Sequence, residues 1–177
     1  MGRIGKIRRV GMVPRIGKLI SLELLAKRKE RRGCESVGVR VKVRISSKIG
    51  LAVEAASLLN TGFESEFPEV LVPVRVAEAL GFWPKLPEGA VIRAYETAGG
   101  IVRMPTVEEG IEVQVVVGSR ITKPIKCLLV ISEEEREVLL SDKAIEELGI
   151  VIESPGSGIW RFKDEPVLRE SVAPQYW

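Results

Sequence analysis

Apolar and cationic side chains alternate from residue 37 to residue 45, which is the most regular hydrophobic pattern in the chain. Successive side chains of a strand point to opposite faces, so a period of two predicts a strand with one buried face. Arg40, Lys42 and Arg44 would then form a row on the outer face. Such a row could continue a basic surface, or it could be an ordinary solvated face or a protected sheet edge.

Other apolar runs predict further strands, separated by glycine and proline. Gly99 and Gly100 lie between two of these runs and predict a hairpin, and Pro124 interrupts the last run. The predicted strands cover residues 53–59, 91–96, 101–104, 112–117 and 121–131.

Two short helices are predicted among the strands. Pro73 and Gly81 bracket the first, and Ser141 and Gly149 bracket the second, in the usual order of helix start and stop signals. A chain of 177 residues suits one domain of ordinary size with extensions. We therefore predict an N-terminal extension over residues 1–36, a mainly β domain over 37–153 and a C-terminal tail over 154–177.

The composition excludes several kinds of chemistry. The chain has no histidine, which removes serine–histidine and cysteine–histidine catalysis and histidine metal sites. Cys34 and Cys127 are isolated in the sequence, so neither zinc nor thioredoxin spacing occurs. We expect no metal and no cofactor. Buried or inert thiols are favoured over a disulfide between the two cysteines, which stays possible.

Location and source are also suggested by composition. No apolar run approaches the roughly 18 residues that span a bilayer, and no signal-peptide pattern opens the sequence. We expect a cytoplasmic protein. One asparagine, two glutamines and abundant charged residues are typical of a protein from a hyperthermophile.

The net charge of +3 hides a strong polarity along the chain. Residues 1–48 hold 15 Lys and Arg against three Glu, which gives +12. Residues 49–177 hold 12 Lys and Arg against 21 acidic residues, which gives −9. This distribution predicts a basic arm attached to an acidic body.

The basic arm begins with a glycine-rich stretch. Four glycines and Pro14 within residues 1–18 favour an extended tail, and Ser21 is a candidate cap for a helix that continues to Arg32. Lys and Arg neutralise phosphates, and Arg also stacks on exposed bases. We therefore favour RNA binding by the arm over two alternatives, a solvated tail without a partner and binding to an anionic membrane surface. The candidate RNA-binding residues are Arg3, Lys6, Arg8, Arg9, Arg15, Lys18, Lys27, Arg28, Lys29, Arg31 and Arg32.

A family resemblance is carried by the sequence Leu-Leu-Asn-Thr-Gly at residues 58–62. This segment resembles the Leu-Leu-Asp-Thr-Gly loop of retropepsin-like aspartic proteases, with Asn60 in the place of the catalytic aspartate. The helix before Gly81, the Gly99-Gly100 flap and residues 138–150 follow in the family's order. There Ser141 stands where the family has a glycine. The resemblance covers roughly residues 37–153 and implies a retropepsin-like barrel.

The resemblance also implies a lost activity. Aspartic proteases use two carboxylates that share one proton, and an amide at Asn60 neither takes nor gives that proton near neutral pH. Only Asp142 and Asp164 remain as aspartates, and neither precedes Thr-Gly or Ser-Gly. No catalytic residue is therefore expected. Asn60, Thr61 and Gly62 form a degenerate dyad loop, through which a homodimer remains possible.

Three hypotheses follow from these observations. The first is a non-catalytic retropepsin-like domain acting as an RNA-binding structural component of a ribonucleoprotein, with the archaeal ribosome as the specific expectation and neighbouring subunits as partners. The second is a homodimeric aspartic endopeptidase in an inactive form, because the sequence leaves open whether Asn60 is native or engineered. The third is a pseudoprotease that binds an extended peptide under the flap at Gly99-Gly100.

Overall fold

A computed structural model of the chain describes residues 38–97, 99–118 and 120–177, apart from the side chain of Glu109. The predicted N-terminal arm and helix lie outside the described residues. The strands of the described part are β1 (Arg40–Ser47), β2 (Ala52–Leu59), β3 (Glu69–Pro73), β4 (Val91–Thr97), β5 (Gly100–Val117), β6 (Arg120–Ile121), β7 (Ile125–Ser132), β8 (Val138–Leu140), β9 (Ile150–Ser154), β10 (Ile159–Phe162) and β11 (Arg169–Glu170).

The described residues form a closed six-strand barrel. Its strands follow one another in the order β1, β2, β8, β3, β7 and β5, and pairing of β1 with β5 closes the ring. Strand β8 lies between β2 and β3, parallel to β2 and antiparallel to β3. Among the described strands, β4 pairs with β5 alone, so the hairpin that they form projects from the barrel. The prediction of a mainly β fold with two short helices is confirmed.

The alternation in β1 determines how this strand packs. Val41, Val43 and Ile45 are fully buried in the main core, as the period-two pattern predicts. The same face of the strand therefore supplies one wall of the barrel interior. The pattern predicts that Arg40 lies on the exposed outer face, but this prediction is wrong, because Arg40 is only 5% exposed.

Two short helices cover the barrel, α1 (Val74–Ala79) and α2 (Asp142–Glu147). Both begin where the sequence predicts, after Pro73 and Ser141. The Ser141 hydroxyl accepts a hydrogen bond from the Ala144 amide and so caps α2. Gly149 follows α2 with a φ of +68°, a backbone conformation that side chains beyond glycine rarely adopt.

Strand β5 is longer than predicted. The sequence predicts separate strands over residues 101–104 and 112–117, whereas the structure has one strand with an irregularity between Val107 and Ile111. Its first part pairs with β4, and its second part pairs with β1 and β7. The bulge lets one strand serve both the projecting hairpin and the barrel.

The C-terminal segment belongs to the folded body. The sequence predicts a tail over residues 154–177, whereas the structure places β10 and β11 there in a small sheet with β9. Trp160 and Phe162 of β10 are 2% and 1% exposed and pack in the same core cluster as the barrel strands. Their rings meet edge to face, with centroids 5.1 Å apart. This segment therefore contributes directly to the hydrophobic core.

Candidate functional site: the Asn60 loop and the projecting hairpin

The eleven arm residues predicted to bind RNA all lie outside the described residues. The cationic row of β1, which could have continued their surface, is engaged with acidic residues. Arg40 pairs with Glu137, while Lys42 and Arg44 both pair with Glu54. The row is thus largely neutralised within the body and offers little charge to a phosphate chain.

The Asn60 loop follows β2 and is held by its own hydrogen bonds. The backbone N–H of Asn60 donates to the Leu140 carbonyl over 3.1 Å, and this bond fixes the loop to the end of β8. The backbone N–H of Phe63 donates to the backbone carbonyl of Asn60 over 3.0 Å. The Gly62 amide donates to the side-chain Oδ1 of Asn60 over 3.1 Å. The side chain of Asn60 therefore folds over its own turn, with Thr61 and Gly62 exposed at the tip.

Neither aspartate of the chain stands in for an acid at Asn60. Asp142 begins α2, and its Oδ1 accepts hydrogen bonds from the backbone and hydroxyl of Ser65 over 3.1 and 3.3 Å. Its amide also donates to the Phe63 carbonyl over 3.1 Å. Asp164 lies elsewhere on the surface and is paired with Arg120. Asp142 thus anchors the segment after the Asn60 loop, which is a structural task.

Ser141 occupies a fully buried position next to the loop. Its Oγ accepts from the Glu69 amide over 3.0 Å as well as from the Ala144 amide over 3.3 Å. In return, the Ser141 amide donates to the Glu69 carbonyl over 3.1 Å. The serine therefore joins the start of β3 to the start of α2, a role that a glycine could fill only in part because it lacks the hydroxyl.

The hairpin predicted at Gly99 and Gly100 is confirmed. Thr97 closes the turn, because its Oγ1 donates to the Gly100 carbonyl over 2.8 Å and accepts from the Gly99 amide over 3.2 Å. Gly100 has a φ of +114°, where a side chain would be strained. Ile101 next to the turn is 72% exposed, so the tip presents an apolar residue to its surroundings.

Tyr95 connects the hairpin to the Asn60 loop. Its ring meets that of Phe63 edge to face, with centroids 6.0 Å apart. Both rings pack against a second apolar cluster outside the main core, formed by Leu71, Met104, Val130 and Leu139. Pattern-based prediction missed Tyr95, because a single aromatic residue in an exposed strand gives no period-two signal.

Glu69 lies beneath the hairpin and is only 4% exposed. The Tyr95 hydroxyl donates to its Oε2 over 3.2 Å, and Nη1 of Arg93 is 3.9 Å from its Oε1. Burial raises the pKa of the Glu69 carboxyl above its ordinary range, although Tyr95 and Arg93 oppose that rise. Burial likewise raises the pKa of Tyr95, to about 12. The sequence gives no sign of this buried carboxyl.

A separate cavity of about 410 Å³ opens beside the bulge of β5. It is lined by Ser46, Ser47, Lys48, Glu108, Gly110, Ile111, Glu112, Lys126 and Cys127. The two lysines and two glutamates of this lining balance in charge. Cys127 is a buried free thiol, and its burial raises its pKa to about 12. This cavity therefore presents no net charge and no reactive thiolate.

The described part of the chain lacks the side-chain clusters typical of metal sites and the helices typical of membrane spans. No cluster of three or more metal-ligating side chains occurs there. None of the helices found in those residues has the length and apolar character needed to cross a membrane.

Comparison of the chain with protein-family models and with curated protein sequences gives no match.

Proposed function

We propose that this chain is a non-catalytic retropepsin-like domain that serves as an RNA-binding structural component of a ribonucleoprotein, most specifically the archaeal ribosome. The observation that carries the proposal is the state of the Asn60 loop. An amide occupies its apex, and Oδ1 of that amide is committed to the Gly62 backbone. Since Asp142 and Asp164 are engaged elsewhere, neither aspartate of the chain is placed to activate water at the apex of the Asn60 loop.

The arrangement of strands supports the retropepsin-like part of the proposal. The loop after β2 and the helix after β8 meet, because β8 pairs parallel to β2 and both strands end at the same edge of the sheet. Asn60 bonds to Leu140 at this junction, and Asp142 bonds to Phe63. Loop, hairpin and closing helix thus occur in the expected chain order around one end of the barrel. Loss of chemistry with retention of this geometry favours a structural role.

The charge distribution supports the RNA-binding part. Residues 1–48 carry a net charge of +12 and residues 49–177 a net charge of −9, and the three β1 cations are already paired within the body. The eleven arm residues therefore carry the proposed RNA contacts. An arm of this kind gives an affinity that falls steeply with salt, because each phosphate contact releases counterions.

Sedimentation of native lysate, at low and high salt and with or without ribonuclease, tests the proposal. We expect the protein to migrate with ribosomal particles and to leave them after nuclease treatment. Changing Arg8, Arg9, Arg31 and Arg32 to Gln should reduce particle binding. A matched control changes four exposed body cations, Lys85, Arg103, Lys123 and Lys163, to Gln and should leave binding intact. Migration at about twice the chain mass under all conditions would instead favour a homodimer.

A second candidate function is peptide binding under the hairpin, favoured by the open edge of β4. Within the described residues β4 pairs with β5 alone, and Ile92 beside this edge is 61% exposed. An extended peptide could add to such an edge by main-chain hydrogen bonds. Stiffening the turn by Gly100→Val should then abolish binding of a labelled peptide library. The change Gly156→Ala, at a glycine with open space around it, serves as the control.

A further inference from the structure

The projecting hairpin consists of β4 and residues 100–105 of β5, and it has few attachments to the barrel. Its two strands pair with each other, and β5 joins the barrel ladder only from Thr106 onward. Among the described residues, the remaining attachments are made by side chains: Tyr95 against Phe63 and Glu69, Arg93 near Glu69, and Val102 and Met104 at the second apolar cluster. Glu69 therefore takes part in two of these attachments.

The surroundings of Glu69 suit a neutral carboxyl better than a charged one. A carboxylate has about four acceptor sites, whereas the side chain of Glu69 receives one hydroxyl donor, from Tyr95. The Arg93 guanidinium is 3.9 Å away and already donates to Glu108 over 2.6 Å. Burial without full hydrogen bonding penalises the charge, because water would otherwise solvate both oxygens.

Ionisable groups approach Glu69 from four of the elements packed around it. Strand β4 supplies Arg93 and Tyr95 and helix α2 supplies Asp142, and these groups affect the charge of Glu69. Strand β5 supplies Glu108 behind Arg93, β7 supplies the Cys127 thiol, and β8 supplies only apolar side chains. Asp142 adds a repulsive negative charge. Strand β3 itself carries no other ionisable side chain. Arg93 is thus the one cation that attracts Glu69 directly, within the part of the chain that the structure describes.

We propose that Glu69 is a proton-operated latch: proton uptake by its side chain holds the projecting hairpin closed on β3, and proton release loosens it. When the hairpin lifts, water reaches the carboxyl and its affinity for the proton falls to that of an ordinary glutamate. Closing therefore takes up a proton, and acid favours the closed hairpin. The inference does not depend on RNA binding, because it concerns only the described body.

The sign follows from the burial of the group. Its pKa in the closed state is above the ordinary value of 4.5, so the closed state binds more protons in the window that starts near 4.5 and extends upward. Raising the pH through that window disfavours closing. Each unit of pKa difference between the two states changes the closing equilibrium about tenfold.

Hydrogen exchange of hairpin amides in the full-length protein tests the latch. We expect protection of residues 91–97 and 100–105, corrected for the chemical exchange rate, to decrease as the pH rises above the ordinary glutamate value of 4.5. The variant Glu69→Gln mimics the protonated form and should keep high protection at every pH. The control Glu108→Gln removes a neighbouring carboxylate, and its protection should still decrease with pH. Protection that is constant in the wild type, or that still decreases in Glu69→Gln, would overturn the proposal.

A second variant tests the latch without altering Glu69. Tyr95→Phe removes the hydroxyl that donates to Glu69, and that hydrogen bond favours the charged form. Its loss should shift the midpoint of the protection change to higher pH. Chemical shifts of the Thr106 amide, followed by NMR across the same range, report this midpoint in a folded sample. A midpoint that stays in place or moves to lower pH would contradict the proposal.

Discussion

The guanidinium of Arg40 lies against the carboxylate of Glu137, with Nη2 3.0 Å from Oε1, although the two residues are 97 positions apart in the chain. The side chains are 6% and 13% exposed. The hydrogen bond that Arg40 donates to Glu137 raises the pKa of Arg40, so the cation is stabilised by its partner. This pair connects the first barrel strand to the segment between β7 and β8.

Glu137→Gln should destabilise the fold by about 3 kcal/mol, because removing the carboxylate from a buried ion pair costs far more than removing one from an exposed pair. Urea unfolding followed by circular dichroism measures the change in the free energy of unfolding. The matched control is Glu54→Gln, which removes the partner of Lys42 and Arg44 on the surface. Solvent screens that pair, so its loss should be much smaller. Equal losses of unfolding free energy in both variants would show that the buried Arg40 pair contributes no more to stability than a surface pair.

The Arg40 pair also shows where local pattern stops being informative. Alternation over residues 37–45 correctly predicts that Val41, Val43 and Ile45 face the core. It assigns Arg40 to a cationic outer row, because the period alone cannot reveal a partner 97 positions away. Pairing over such distances depends on how the strands order around the barrel, and that order is absent from any short window of sequence.

Trp160→Ala should destabilise the protein by about 3–5 kcal/mol, since it removes a large side chain from the core and leaves a cavity. The ring is 2% exposed, and the Arg169 guanidinium lies 5.6 Å from its centroid. Thermal unfolding by calorimetry measures the loss. The control Leu168→Ala changes a side chain that is 62% exposed in the same segment and should alter stability little. A small effect at Trp160 would mean that residues 154–177 behave as the tail that sequence predicts.

Ser141→Ala should destabilise the protein by about 1–3 kcal/mol, because two buried amides lose their acceptor. These are the amides of Glu69 and Ala144. Chemical denaturation measures this change, with Ser157→Ala at an exposed position as the control. Hydrogen exchange of the Ala144 amide should accelerate in the same variant. Unchanged exchange there would show that the hydroxyl does not cap α2.

Cys127 should resist alkylation in the native protein at pH 8. Burial raises the pKa of this thiol to about 12, so only about one molecule in ten thousand carries the reactive thiolate. Iodoacetamide labelling followed by mass spectrometry, in a Cys34→Ser background, measures the rate. Labelling should become fast only in denaturant, when the thiol regains its ordinary pKa. Rapid labelling of the native protein would place Cys127 in contact with solvent.

Some parts of the candidate site can be predicted from the sequence because they depend on local chemistry, and others cannot because they depend on contacts between distant residues. The hairpin turn at Gly99 and Gly100 and the cap at Ser141 depend on local backbone chemistry, which a sequence displays directly. The buried pair of Glu69 and Tyr95 depends on a hairpin that packs over a strand 26 positions earlier. A single glutamate at the start of β3 and a single tyrosine in β4 give no local signal that they meet, so only the assembled structure reveals the contact.

Asn60→Asp should fold normally and should not cleave peptides. A carboxylate oxygen can accept the Gly62 amide in the way that Oδ1 of Asn60 does now, so we expect little change in the free energy of unfolding. Peptide cleavage also requires a second carboxylate that shares the proton, and this chain must bring it from a second copy. Cleavage of a peptide library between pH 3 and pH 7 measures the activity, with the wild type as the matched control. An acid-optimum activity that an inhibitor of aspartic proteases blocks would contradict a structural role and favour the endopeptidase hypothesis.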